Sequence, residues 1–415
     1  MKTVFASLTI IIIAASAASS IFVSTDNLTS NEALGKKLFF DQNLSVNSNQ
    51  SCATCHAPEV GFSGPDSGLN SGKSVYPGAV PTRFGNRKPP TAAYSGDSPV
   101  LKYDEDEKVW IGGMFWDGRA TGWTLGDPLA EQAQGPFLNP LEHALPDAKM
   151  LCIKVARSDY AQDFKAEWGD ISCASKEGFT DVYEKIARSL AAYQRSSEVN
   201  AFSSKFDAFW EEQGKDVDDF GVDENGKYNF NPSIFNSEVY SAEEAKGLAL
   251  FNAENKGKCA LCHLTSNNGK SARPLFTDFT YDNLGVPKNP DNPFYGMPKE
   301  WNPDGADWID YGLGSFLKSN GLPYEDQLGK QKVPTLRNVD KRPSEDIVKA
   351  YAHNGFFKTL AEIVQFYNTR DTGNWPPAEY PKNVNTEELG NLGLTSEEET
   401  AIVAFMKTLS DGFTP

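Results

Sequence analysis

Two five-residue strings constrain this chain more than anything else in it. Cys52-Ala53-Thr54-Cys55-His56 and Cys259-Ala260-Leu261-Cys262-His263 repeat one pattern, Cys-x-x-Cys-His, and use four of the 6 cysteines in 415 residues. Two thiols at this spacing each form a thioether to one vinyl group of a porphyrin, and the adjacent imidazole then stands where it ligates the iron. This is the attachment pattern of c-type haem. A zinc site needs four ligands in one place, and the strings begin 207 residues apart (259 − 52) with no other Cys or His beside either. A thioredoxin-like redox pair leaves the histidine unexplained. The chain has only 4 histidines, His56, His143, His263 and His353, so iron chemistry draws on a very short list. Two covalently bound haems are the expectation.

The segments before the two strings repeat as well. Residues 31–39 and 242–251 read as short helices, and Thr29 with Glu32, like Ser241 with Glu244, has capping-box spacing. Each half also carries a later amphipathic helix. Val182, Ile186, Leu190 and Tyr193 recur at helical spacing in one; Ile402, Phe405, Met406 and Leu409 do so in the other, which opens at a capping box of Thr395 and Glu398. Strand alternation is scarce, and long loops rich in Gly, Pro, Asn and Asp fill 57–109 and 264–334. The expected fold is mainly α: two c-type cytochrome domains, 26–203 and 204–415, each enclosing a haem between an early and a late helix, with long loops. The acidic run 216–224 near the boundary does not fit an EF-hand, because Phe220 stands where a ligand is required, and reads as solvated surface.

Lys2 is followed by an uncharged run from Thr3 to Thr25, apolar from Leu8 to Ala15, with small residues at Ala15-Ser16-Ala17. That is the layout of a signal peptide over 1–17, against the competing reading of an uncleaved membrane anchor. It predicts an exported, periplasmic protein. In such a compartment Cys152 and Cys173, 21 residues apart (173 − 152), read as a structural disulfide. Lys plus Arg number 39 against 56 Asp plus Glu, a net charge of −17, which disfavours nucleic acid and anionic membranes and suits a basic protein partner.

Four further blocks stand between and after the haem strings. They are Phe115-Trp116-Asp117-Gly118-Arg119; Glu131-Gln132-Ala133-Gln134-Gly135-Pro136 leading to Asn139-Pro140-Leu141-Glu142; Val333-Pro334-Thr335-Leu336-Arg337-Asn338; and His353-Asn354-Gly355 followed by Phe366-Tyr367-Asn368. In these blocks the chain resembles the bacterial di-haem cytochrome c peroxidases and their relative MauG, over most of its length. The resemblance implies a peroxidatic haem at Cys52, Cys55 and His56 and an electron-transfer haem at Cys259, Cys262 and His263. It implies hydrogen peroxide as substrate and a small redox protein, a c-type cytochrome or cupredoxin, as electron donor; a homodimer is compatible with it. By the same resemblance Glu142 is the catalytic glutamate, Gln132 its hydrogen-bonding partner and Trp116 an electron relay between the haems. Asn86 stands for the side-chain ligand of an inter-domain calcium, in a block altered from the family's.

Open coordination decides between the remaining readings, because a haem with two strong protein ligands transfers electrons but does not bind peroxide. No His lies between His56 and His143 and no Met between His56 and Met114, so the first haem is expected to keep His56 alone, with His143 the residue that would otherwise close it. For the second haem the candidate sixth ligands are Tyr367, Met297 and Met406. The resemblance points to Tyr367, 14 residues after His353 (367 − 353), as a MauG-like ligand, with His353 beside the haem but not on the iron. Three functions compete: a hydrogen peroxide-reducing peroxidase, a MauG-like enzyme that uses high-valent di-haem iron to oxidise aromatic residues of a partner protein, and a di-haem electron carrier without catalysis.

Overall fold

The computed structural model describes residues 28–267, 271 and 273–414; the leader expected at 1–17 and the first two residues of the 26–203 segment lie outside them. Among the described residues there are twelve α-helical segments. They are α1 (Ser30–Phe40), α2 (Cys52–Cys55), α3 (Ser67–Asn70), α4 (Pro128–Leu138), α5 (Ala148–Ala156), α6 (Ala161–Trp168), α7 (Lys176–Arg195), α8 (Lys205–Glu212), α9 (Ala242–Asn252), α10 (Gly312–Ser319), α11 (Leu360–Thr369) and α12 (Ser396–Lys407). Two small antiparallel ribbons complete the regular structure. β1 (Lys102–Asp104) pairs with β2 (Val109–Ile111), Tyr103 opposite Trp110, and β3 (Tyr281–Asp282) pairs with β4 (Gln331–Lys332), Tyr281 opposite Lys332.

The repeat seen in the sequence is a repeat in space. Helices α1 and α9 open with the expected capping boxes, Thr29 with Glu32 and Ser241 with Glu244, and α12 opens with Thr395 and Glu398. α1 packs across α7, and α9 across α12. Each crossing is made at one glycine. A Cβ on Gly35 would stand 1.9 Å from the Ser189 carbonyl oxygen, and a Cβ on Gly247 1.9 Å from that of Ala401. Only a residue without a side chain lets the backbones approach so closely.

Buried apolar residues form two main clusters. One runs from Leu34 to Val199 and borrows Leu275 and Phe279; the other runs from Phe206 to Leu409. Burying each large apolar side chain contributes roughly 2 kcal/mol, so both clusters hold substantial stability. Arg337 lies where the clusters meet. Its side chain is fully buried, its Nη1 is 2.7 Å from Asp207 Oδ2, and its guanidinium faces the rings of Tyr94, Phe202, Phe206 and Phe276. Cys152, on α5, and Cys173, just before α7, form the expected disulfide.

The two long loops are more ordered than their composition suggests. The stretch 57–109 contains α3, β1 and the start of β2, and 264–334 contains β3, α10 and β4. These elements have two to eight residues, too short for a periodic signal, and contacts distant in sequence stabilise them. Leu101 of the first half packs with Tyr281, Leu313 and Leu317 of the second. In the acidic run, Asp216, Asp218, Asp219 and Glu224 are exposed while Val217 is buried.

Candidate functional site

Each Cys-x-x-Cys-His string follows an early helix, so the α1–α7 and α9–α12 crossings set where its side chains stand. Cys52 and Cys55 bound the short helix α2, and His56 ends it by donating its backbone N–H to the Cys52 carbonyl. Cys259 opens a single 3₁₀ turn, Cys259–Leu261, and the His263 N–H returns to the Cys259 carbonyl. All four of these cysteines are unpaired thiols. The two imidazoles are held alike. His56 Nδ1 faces the Phe62 carbonyl at 3.2 Å and His263 Nδ1 faces the Phe276 carbonyl at 2.9 Å. A carbonyl can only accept, so Nδ1 carries the hydrogen and Nε2 keeps the lone pair that an iron ligand needs. Burial holds both rings neutral: it lowers the pKa of His56 and takes that of His263 down to about 4.

Around the second string the chain encloses a cavity of about 220 Å³. By the same measure one water needs about 10–15 Å³, so this is space for a large ligand and not a packing defect. Cys259, Cys262 and His263 line it on one side, with Leu360, Val364 and Ile402 among its apolar walls. Five buried polar atoms on its lining, Gln331 Nε2 and Oε1, Arg337 Nη2, His353 Nε2 and Glu379 Oε2, have no hydrogen-bond partner among the described residues. An apolar slot with paired thiols, a neutral imidazole and unsatisfied donors fits a c-type haem whose propionates reach those donors. Tyr367, on α11, and Met406, on α12, line the same cavity; Met297 is buried elsewhere, outside its lining. Burial, then the neighbouring Cys262, Cys259 and Asp282, pushes the Tyr367 phenol far above its ordinary pKa, so the chain alone holds it neutral.

The first string has a different companion. Glu142 is half-buried, and after burial its charge is the next cause that raises the pKa of the Cys52 and Cys55 thiols. Burial pushes its own carboxyl up, while Arg119 and a hydrogen bond from Asn139 pull it back; the net shift is upward. A carboxyl shifted this way holds a proton more readily than a free one. That hydrogen bond corrects an expectation. It comes from Asn139 Nδ2 to Glu142 Oε1 at 2.7 Å, and the side chain of Gln132, on α4, makes no hydrogen bond among the described residues. Asn139 is three residues from Glu142, in the same tight turn, whereas Gln132 lies on the helix before it. Nearby Glu131 is structural: its carboxylate accepts the backbone N–H groups of Gly122, Thr124 and Leu125.

His143 is buried, edge-on to Phe137 with ring centroids 5.2 Å apart; its Nδ1 has no hydrogen-bond partner among the described residues, and burial lowers its pKa to about 4.

Trp116 lines the second cavity and is 8% exposed. Its indole N–H donates to the Lys88 carbonyl at 3.1 Å, and its ring lies edge-on to His353, centroids 6.3 Å apart. A ladder of charges runs beside it. Arg119 binds Asp117 at 2.8 Å, Asp117 binds Arg87 at 2.7 Å, and Arg87 binds Asp310 through two bonds of 2.6 Å. Asp310 lies 4.0 Å from His353 Nε2, and Glu379 lies 3.6 Å from it. This ladder joins the block at 115–119 to the wall of the second cavity. Nothing in the sequence marked Arg87 or Asp310, which stand 223 residues apart.

At Asn86 the backbone carbonyl accepts from Asn292 Nδ2 at 2.9 Å. The carboxylates of Asp117 and Asp310, which the ladder brings to the neighbouring Arg87, are already bound by it. Among the described residues no three His, Cys, Asp or Glu side chains gather as metal ligands.

Comparison with known proteins agrees with this geometry. The family described as di-haem cytochrome c peroxidase matches residues 29–215. The methylamine utilization protein MauG of Paracoccus denitrificans is 34% identical over 394 residues, which cover 91% of this chain and 88% of that protein. The cytochrome-c peroxidase IdrP1 of Denitromonas iodatirespirans is 28% identical over 385 residues, 91% of this chain and 81% of that protein. Among solved structures, the diheme peroxidase BthA of Burkholderia thailandensis superposes with a TM-score of 0.71 at 28% identity, covering 92% of this chain and 86% of that one. With paired Cys-x-x-Cys-His sites on a doubled helical frame, and a relative more than one-third matched along nearly its whole length, this chain belongs to the di-haem cytochrome c peroxidase and MauG family of oxidoreductases.

Proposed function

We propose that this enzyme reduces hydrogen peroxide at the first haem site and receives its electrons through the second. The observation that carries the reading is the asymmetry between the two sites. Glu142 stands by Cys52 and Cys55 while His143 packs away into the core; Tyr367 and Met406 face the cavity of His263. When bound, the group at His56 supplies an iron with a free face for peroxide, and the group at His263 supplies stored electrons.

The chain's own residues handle position and protons. Glu142 would take a proton from one oxygen of the peroxide and return it to the other, so that this second oxygen leaves as water. Two electrons and two protons then complete the change of one peroxide into two waters. Trp116 fills the gap between the blocks and presents an aromatic ring on the route between the sites. Tyr367, ahead of Met406, would be the second protein group to hold the iron at this site, and His353 would hold a propionate. No step is routed through calcium.

The division at 203 and 204 then separates a peroxidatic domain from an electron-transfer domain, and the leader at 1–17 directs the protein to the periplasm. The net charge of −17 suits a small basic c-type cytochrome or cupredoxin as donor, steered in by charge. A second reading, oxidation of aromatic residues on a partner protein, is favoured by Tyr367 and by the 34% identity to MauG.

Rapid mixing of the fully ferric di-haem protein with peroxide tests the proposal. An optical change within the mixing time scale, without prior reduction, followed by steady consumption of a reduced cytochrome, is the expected result. No reaction of the ferric protein would overturn it. Oxidised aromatic residues on an added protein, with no cytochrome turnover, would favour the second reading.

A further inference from the structure

The turn that presents Glu142 is built by one residue. Asn139 caps the C-terminus of α4. Its side-chain Oδ1 accepts the Leu141 N–H at 3.0 Å, and its main-chain carbonyl accepts those of Glu142 and Ala144, both at 3.0 Å. Its Nδ2 donates to Glu142 Oε1 at 2.7 Å. The Glu142 carbonyl accepts the Ala79 N–H at 2.7 Å, so the backbone is pinned from a second loop as well. What remains free is rotation of the carboxyl itself, and the Asn139 amide removes it. Glu142 Oε2 has no hydrogen-bond partner among the described residues.

We propose that Asn139 is the positioning residue of the peroxide reaction: it holds Oε1 of Glu142 and thereby fixes Oε2 as the oxygen that carries the proton. The inference rests on the reading of Glu142 as the proton-shuttling group. A neutral amide donor favours the ionised carboxylate over the acid, so it also sets how readily Glu142 gives its proton up. Besides its burial, the other group that acts on Glu142 is the Arg119 guanidinium. Arg119 is itself fixed, bound by Asp117 and lying 3.8 Å from the centre of the Phe115 ring. Asn139 is therefore the one neutral donor in the arrangement, and its removal changes no charge.

The test uses the di-haem holoenzyme with two variants. Asn139→Leu removes the donor and the Leu141 contact; Asn139→Ser keeps a neutral hydroxyl acceptor for the Leu141 N–H and removes the amide donor. The protonated carboxyl of Glu142 is followed by infrared spectroscopy against pH, its band identified by loss in Glu142→Gln. Losing a hydrogen bond to a charged group raises the Glu142 midpoint by about one pH unit or more. The acid limb of the peroxide rate moves with it, kcat falls about ten-fold or more, and KM for peroxide and the spectrum of the second haem stay unchanged. A Glu142 band that titrates at the same pH in both variants and in the wild type would overturn the proposal. A Glu142→Gln enzyme that reacts at the wild-type rate would instead overturn the proton-shuttle reading, while the infrared titration still decides whether Asn139 holds the carboxyl.

Discussion

The doubled frame makes a sharp demand at two glycines. In Gly247→Ala the new Cβ meets the Ala401 carbonyl oxygen at 1.9 Å, its carbon at 2.6 Å and Phe405 Cβ at 2.8 Å. In Gly35→Ala the corresponding distances are 1.9 Å to the Ser189 oxygen, 2.7 Å to its carbon and 2.8 Å to Tyr193 Cβ. The first obstacle in each case is backbone, which cannot swing aside, so the helices must separate by roughly 1.5 Å to restore ordinary contact of about 3.5 Å. Overpacking of this kind costs about 1–3 kcal/mol, and alanine recovers only about 1 kcal/mol of helix propensity. With a backbone clash at the upper end of that range, each variant loses about 2 kcal/mol net. Denaturant unfolding of the holoenzyme measures it. The damage is also local: α9 leads to His263 and α1 to His56, so Gly247→Ala perturbs the second haem's spectrum and Gly35→Ala the first's. Either variant at or above wild-type stability would refute the close-crossing argument.

Other outcomes follow from single sites. Arg87→Met strands Asp310, whose side chain is 2% exposed, leaves Asp117 with Arg119 alone, and costs about 3–5 kcal/mol; adding Asp310→Asn recovers part of it in the same unfolding assay. Despite burial, Arg87 holds the Asp310 carboxyl well below its ordinary pKa, so this stability is present above the ordinary carboxylate range and is lost as pH falls through and below it. His143 has the opposite origin of acid sensitivity: its pKa falls from 6.5 to about 4 on burial, so from pH 6.5 down to 4 the unfolded chain takes up a proton that the folded one refuses. The full gap is worth roughly 3 kcal/mol, and His143→Gln flattens the stability profile across that interval. Reduction of the Cys152–Cys173 bridge, or Cys152→Ser with Cys173→Ser, frees a loop of 21 residues and lowers stability by about 3 kcal/mol, seen as a lower denaturant midpoint.

What was legible in the sequence is what acts locally. The haem strings, the capping boxes at Thr29, Ser241 and Thr395, and the periodic helices 176–195 and 396–407 are written in runs of neighbouring residues. The disulfide followed from there being no other cysteines left to pair. What was hidden depends on residues that meet only in the folded chain. No local pattern marks Arg87 or Asp310, and the ladder they complete spans both halves. Helix α10, with glycines at 312 and 314, has too weak a propensity to announce itself; it exists because Leu313 and Leu317 pack against Leu101 and Tyr281. Asn139 was visible as part of a block, but its role was not, because a glutamine at 132 offered the same amide chemistry and only the turn geometry separates them.

The account as a whole requires one site with a free iron face and one that is capped. Electron paramagnetic resonance of the resting ferric holoenzyme reads this directly. The account predicts one high-spin signal, assigned to the His56 site and converted on peroxide addition, beside one low-spin signal that changes in Tyr367→Phe. Two low-spin signals, both inert to peroxide, would contradict it.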